Sequence, residues 1–279
     1  MPHLETPAIV LSCVDYSETS QIAHLLTPGE GKIRVIAKGI RRGRSFATFD
    51  LFTHCEVVVL RKTNPGDELG ILVELAVHSS FPGIRRGIEP LLAALLGIEI
   101  AVASAQEGHA DHEAFALLLE YLHTLDDSSS RQVRPVVLLY LLHFLRTAGL
   151  LPRFEACLSC DRPSEDSRSP LVFVAHEGGF LCGSCAETTT GVEPVRPATL
   201  SILKSLVKTT RGPDHSVRLP PASLREMETI LLTTVEAALD RRLRIPRVLL
   251  PRFRRSTGHG AILGGPDAGK TTAAGGGKP

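Results

Sequence analysis

Apolar and polar positions alternate with a period of two through the first 80 residues, and the alternation predicts five strands. They run over Ala8 to Cys13, Thr19 to Leu26, Lys32 to Lys38, Cys55 to Leu60 and Ile71 to Val77. Turn chemistry separates them at Pro28-Gly29-Glu30-Gly31, through the basic stretch Gly39 to Arg44, and at Asn64-Pro65-Gly66-Asp67. Five strands in this length fit an OB-fold barrel, although a small open sandwich or an SH3-like barrel has the same pattern. From Pro90 the period lengthens to about 3.6 and helices take over. Phe115, Leu118, Leu119 and Leu122 share one helix face, and Val136 to Leu145 is apolar nearly all round, as in a central buried helix. Leu200, Leu203, Leu206 and Val207 mark another helix. A last one follows the capping-box pattern Ser223-x-x-Glu226, with Leu224, Met227, Leu231, Val235 and Ala238 facing inward.

Between these helical stretches lie Cys157, Cys160, Cys182 and Cys185, a C-x2-C, x21, C-x2-C array. A two-residue gap lets one tight knuckle aim two sulfurs at one metal, and two knuckles complete a tetrahedral zinc shell. Leu171 to Ala175 and Phe180 to Cys182 read as short strands around Glu177-Gly178-Gly179, the layout of a zinc ribbon, with His176 as a turn residue. A four-thiolate site leaves no position for water, so the expected zinc is structural. A redox pair needs only one C-x2-C beside a βαβ unit. The fold class expected is therefore α+β: a five-stranded OB-fold barrel over residues 1–80, then a helical domain over 81–255 with a zinc module inserted at about 154–190, then a disordered tail over 256–279.

Hydrophobic content of 43% without an apolar run of 18 residues points away from a membrane. The start Met1-Pro2-His3-Leu4-Glu5 has no basic region followed by an apolar one, so a cytoplasmic address is expected. Cys13 and Cys55 sit in strand segments as small buried hydrophobes. The formal net charge of +1 conceals a sharp division. Residues 31–49 carry Lys32, Arg34, Lys38, Arg41, Arg42 and Arg44 with no acid, and 241–255 carry seven arginines. Residues 87–130 carry eight acids and no Lys or Arg. Such asymmetry suggests an anionic partner meeting particular faces.

Lys32, Arg34, Ile36 and Lys38 share one strand face, opposite Ile33, Val35 and Ala37, and the strand runs into Arg41-Arg42-Gly43-Arg44. Cations on an OB strand and its adjoining loop suit a nucleic-acid backbone. Tyr16, Phe46, Phe49 and Phe52 are the aromatic candidates for base stacking, with core packing as the alternative for each. The arginines from Arg241 onward begin where a helix ends, a position that favours cations. Gly264 to Thr271 satisfies G-x-x-x-x-G-K-[ST], but the following Thr272 to Pro279, with three consecutive glycines, offers no helix to aim at a phosphate. Recognisable catalytic motifs are lacking. Glu74 and His78 read as a surface pair, and His109, Asp111 and His112 as the start of a helix.

In order and spacing, several segments resemble the RecO family of bacterial DNA-repair proteins and recombination mediators. They are Ile9-Val10-Leu11 through Asp15-Tyr16-Ser17-Glu18, Leu25-Leu26-Thr27-Pro28 leading to Gly31-Lys32, and Ala37-Lys38-Gly39-Ile40-Arg41-Arg42. Glu74, Phe81-Pro82-Gly83 and Gly149-Leu150-Leu151-Pro152 extend the likeness, which covers residues 7–250. The resemblance implies an N-terminal OB-fold, a helical domain carrying a structural four-cysteine zinc module, and function without catalytic turnover. It further implies binding of single- and double-stranded DNA, annealing of complementary strands, and partnership with RecR in loading RecA onto DNA coated by single-strand-binding protein. Carried onto this chain, the DNA surface is Lys32, Arg34, Lys38, Arg41, Arg42 and Arg44, and the address is cytoplasmic and nucleoid-associated. The acidic tail of single-strand-binding protein would bind the helical domain through Arg131, Arg134, Arg146 or Arg153. Other function classes are an OB-fold and zinc-ribbon RNA-binding or transcription factor, an ATP-dependent enzyme using the Gly264 motif, and a zinc-stabilised adaptor.

Overall fold

The computed structural model describes residues 3–38, 49–61, 69–129, 132–164, 171–187, 194–208 and 219–250. The Gly264 motif, Phe46, Arg41, Arg42, Arg44, Arg131 and the arginines beyond Leu250 lie outside them. Strands β1 (His3–Asp15), β2 (Gln21–Thr27), β3 (Gly31–Ala37), β4 (His54–Leu60) and β5 (Leu69–Ser79) close a barrel in the order β1-β2-β3-β5-β4. All neighbours are antiparallel except β3 and β5. The long β1 serves two partners. Its first half pairs with β4 and its second with β2, and a register shift between Val10 and Ser12 lets it turn from one to the other. The alternation in β4 sends Cys55, Val57 and Val59 inward, where they meet Val10, Leu25, Val35 and Phe49. Cys13 is half-buried beside the Phe49 carbonyl, and burial pushes the Cys55 thiol up to about 12, so neither is poised to react.

Helices α1 (Ile88–Ser104), α2 (His112–Asp127) and α3 (Val133–Thr147) follow. The Asp111 carboxylate caps α2, accepting from the Ala114 N–H at 2.9 Å. Helix α3 is buried from Val136 through Leu145, as its apolar run predicts. Tyr121 of α2 stacks on Tyr140 of α3 with centroids 4.1 Å apart, and its hydroxyl donates to the Ala93 carbonyl at 2.8 Å.

The cysteine module interrupts the helical domain. Strands β6 (Arg153–Cys157), β7 (Leu171–Val174), β8 (Gly179–Leu181) and β9 (Pro194–Val195) form a sheet ordered β6-β8-β7-β9, and short α4 (Gly183–Ala186) follows β8. The turn between β7 and β8 passes through left-handed Gly178 (φ 66°), with His176 in the turn. Phe154, Leu171, Val174 and Phe180 enter the same core as α3 and α6, so the module is welded to the helices. The chain then forms α5 (Pro197–Lys208), α6 (Pro221–Ala238) and α7 (Pro246–Leu249).

The capping box is not used. Pro220-Pro221 starts α6 three residues early, because proline at the first helical position costs no hydrogen bond, and Ser223 is buried inside the first turn. Glu226 instead accepts from Arg196 Nε at 2.7 Å and from the Thr199 hydroxyl at 2.5 Å, tying α6 to the start of α5. Leu224, Met227, Leu231 and Val235 face inward, but Ala238 is exposed.

Barrel and helices share a second core, in which Ile9, Leu11 and Leu26 meet Phe52, Phe81, Ile84 and the helical side chains. Gly31 marks the closest approach. Its φ of 60° and the place a Cβ would take, 2.1 Å from the Gln106 carbonyl oxygen, both demand glycine. The Lys32 N–H donates to that carbonyl at 3.1 Å, and the Gly108 N–H to Glu30 O at 2.9 Å.

Candidate nucleic-acid interface and metal site

The antiparallel registers place the outer face of β1, β2 and β3 in rows. Ile9, Leu26 and Lys32 form one row; Ser12, His24 and Arg34 the next; Val14, Ile22 and Ile36 the third. The pairing ends at Asp15, Gln21 and Ala37; beyond it the Tyr16 N–H donates to Ser20 O at 2.9 Å and closes the β1–β2 turn, while Lys38 follows Ala37 at the end of β3. The helical domain covers one end. Ile9 and Leu26 are buried there, and the Lys32 ammonium donates to the Val102 carbonyl at 3.0 Å, near the C-terminus of α1 where cations are favoured. At the other end Val14, Tyr16, His24 and Lys38 are exposed, Ile22 is half-buried, and Ser20 and Ile36 are buried.

Arg34 sits at the boundary with its side chain 42% exposed and Nε 3.8 Å from Glu107 of the α1–α2 loop. Sequence alternation correctly puts Lys32, Arg34 and Lys38 on one face, but that face is divided between protein and solvent. Arg41, Arg42 and Arg44 follow Lys38 in the chain and lie outside the described residues. The aromatic candidates also separate. Phe49 and Phe52 are buried, and Tyr16 is 67% exposed. Sequence reading missed the contribution of β1 and β2, whose signal is the alternation Ser12, Val14, Tyr16 and Ile22, His24, Leu26 across the hairpin.

The acids of 87–130 meet part of the charge division internally. Glu99 accepts from the Arg244 and Ile245 N–H groups at 2.8 and 3.0 Å, fixing the entry to α7. Arg242 pairs with buried Glu236 at 3.0 Å, so its role is a specific ion pair at the end of α6. Arg134 pairs with buried Glu228 through two hydrogen bonds, and Arg153 with Asp161 at 2.8 Å. His78 lies 3.7 Å from Glu56 across the sheet, which replaces the expected pairing with Glu74. A cleft of about 390 Å3 opens where α1, α3 and α6 end, lined by Asp111, Glu113, Phe144 and Leu150. The C-termini of three helices and the N-terminus of α2 meet there, the last capped by the Asp111 carboxylate.

The four predicted metal ligands come together. The sulfurs of Cys157, Cys160, Cys182 and Cys185 all lie within 4.8 Å of one another. Cys160 Sγ and Cys182 Sγ are 3.7 Å apart, matching the edge of about 3.8 Å for a tetrahedron with 2.3 Å metal–sulfur bonds. Cys157 ends β6, whereas Cys182 and Cys185 straddle the start of α4, so two turns of different shape present the pairs. The Cys182 N–H donates to Cys157 Sγ at 3.3 Å. Burial pushes the Cys157 thiol up, but the N–H groups of Cys182, Cys160 and Ser159 outweigh it and bring it down to about 6. A hydrogen bond with the Cys182 side chain pushes the Cys185 thiol up to about 12. The donor set fits a soft, tetrahedral metal ion.

The family Recombination protein O N terminal matches residues 1–81, and Recombination protein O C terminal matches residues 85–245. Among named relatives, DNA repair protein RecO of Anaeromyxobacter sp. (strain K) is 32% identical over 252 residues, 89% of this chain and 96% of its own. DNA repair protein RecO of Desulfatibacillum aliphaticivorans is 31% identical over 188 residues, 66% of this chain and 72% of its own. DNA repair protein RecO of Synechococcus sp. (strain JA-2-3B'a(2-13)) is 28% identical over 263 residues, 90% of each chain. Barrel, interrupted helical domain and cysteine cluster agree with these likenesses, and the chain belongs to the RecO family of DNA repair proteins.

Proposed function

We propose that this protein binds single- and double-stranded DNA without catalytic turnover, anneals complementary strands, and works with RecR to load RecA onto DNA coated by single-strand-binding protein. The observation that carries the reading is the exposed end of the β1–β2–β3 face, where Lys38, beyond Arg34 at the boundary, leads in the sequence into Arg41, Arg42 and Arg44. Of the six cations expected to form the DNA surface, Lys32 is committed to the Val102 carbonyl, so phosphate contact is assigned to the other five. Binding through phosphates tolerates sequence and weakens with salt. The metal is zinc in a structural role, held by Cys157, Cys160, Cys182 and Cys185. The acidic tail of single-strand-binding protein binds the helical domain. The protein acts in the cytoplasm on the nucleoid. No described helix is long and apolar enough to cross a membrane.

The test is single-strand affinity as a function of salt for the wild type and a Lys38, Arg41, Arg42→Ala variant. The variant is expected to bind more weakly, with the slope of log affinity against log salt reduced by about 0.7 per lost phosphate contact. An unchanged slope moves the DNA surface elsewhere. Preference for RNA at equal salt contradicts the reading.

A further inference from the structure

We propose that the open end of the β1–β2–β3 face is a base-stacking platform for single-stranded DNA, with Tyr16 as the stacking residue. This rests on the DNA-binding reading above. Tyr16 and Lys38 each follow directly on the last paired residues, Asp15 and Ala37, which both stand opposite Gln21, and continuing those registers by one residue sets them two strand spacings or about 10 Å apart. A nucleotide whose base lies on Tyr16 therefore has its phosphate within reach of the β3 cations. Val14, 60% exposed, precedes Tyr16 by two residues and extends the apolar surface on the same face.

Apart from half-buried Phe173, the other Phe and Tyr rings among the described residues are buried. Tyr121 and Tyr140 are buried and stacked on each other, Phe49 and Phe52 are core residues, and Tyr16 is the aromatic among the exposed large apolar side chains. The hairpin also carries Asp15 and Glu18. Asp15 belongs to the last paired row, with Gln21 and Ala37, and its carboxylate accepts from Gln21 Nε2 at 3.1 Å. Glu18 stands exposed at the bend beyond the ladder. A stacking ring distinguishes single strands from duplex, because only unpaired bases expose a free face. Phosphate contacts alone make no such distinction.

The chain has no tryptophan, so Tyr16→Trp introduces a single reporter at the site. With the full-length protein and a mixed-sequence oligonucleotide, the Trp emission is expected to be quenched by the single strand far more than by the same sequence as duplex. Tyr16→Ala is expected to weaken single-strand binding by about 10-fold, while Tyr16→Phe retains it. The salt slope of Tyr16→Ala stays that of the wild type, since a stacking ring releases no counterions. Melting temperatures equal to wild type exclude a folding effect. Wild-type single-strand affinity in Tyr16→Ala, or equal losses on duplex and single strand, overturns the platform but leaves the DNA reading standing. Failure of the wild type to bind single strands at all overturns both.

Discussion

Arg134 and Glu228 show how one buried charge depends on another. The Glu228 carboxylate is buried, and burial raises its pKa while Arg134 pulls it back. Arg134→Ala leaves that carboxylate without its partner and is expected to cost about 3 kcal/mol, toward the lower end for buried pairs because Arg134 is partly solvated. Glu228→Gln removes the desolvated charge and is expected to cost much less. Urea unfolding of the two variants checks the ordering, and equal losses would contradict it. Cys157→Ser removes the most buried of the four proposed metal ligands. It is expected to lose bound zinc and lower the melting temperature of the helical domain, because Phe154 and Phe180 beside the site belong to that core. The barrel core, built from separate residues, stays folded. Metal content equal to wild type would refute the assignment.

At the scale of elements, the seam between barrel and helices is the sensitive place. Gly31→Ala forces a Cβ against the Gln106 carbonyl at positive φ, and is expected to cost at least about 2 kcal/mol, read by urea unfolding. A cost under about 0.5 kcal/mol would mean that the β2–β3 turn moves freely off the α1–α2 loop. The seam also holds His54, whose ring meets Phe115 of α2. Burial first, then His78 and His123, lowers its pKa below 6.5, and burial with Arg146 does the same for His143 on α3 within the helical domain. The unfolded chain therefore takes up protons at these positions before the folded one does. Their contribution to stability is complete above pH 6.5 and falls as the pH drops below it. Glu228 works in the opposite sense, since its raised pKa costs stability as the pH climbs past 4.5. The histidine effect is isolated by comparing melting temperatures of wild type and His54→Gln between about pH 7 and about pH 5.5, where the wild type is expected to lose more.

What was most legible in the chain was local. Period-two patterning in His54–Leu60 and the spacing of four cysteines each constrain geometry within a few residues, and the structure follows both. Boundaries failed where a stronger local rule intervened, as at Pro220-Pro221, which starts α6 ahead of the Ser223 cap. The barrel, the helical domain and the meeting of the two cysteine pairs were legible as well, but how the helical domain sits on the barrel face was not. Lys32 and Lys38 look equivalent on one strand face, and only the meeting of Lys32 with Val102, 70 residues away, shows which end the helical domain covers. Likewise, only the registers of two strand pairs bring Tyr16 and Lys38 to the same end of the face.

For the whole molecule, the helical domain holds the Lys32 end of the barrel face and leaves Tyr16 and Lys38 exposed at the other, where DNA binding is proposed. The most direct measurement is annealing of complementary oligonucleotides, one strand precoated with single-strand-binding protein, without nucleotide or magnesium. The account predicts acceleration by the wild type that disappears in the Lys38, Arg41, Arg42→Ala variant; no acceleration by folded, zinc-loaded protein would contradict it.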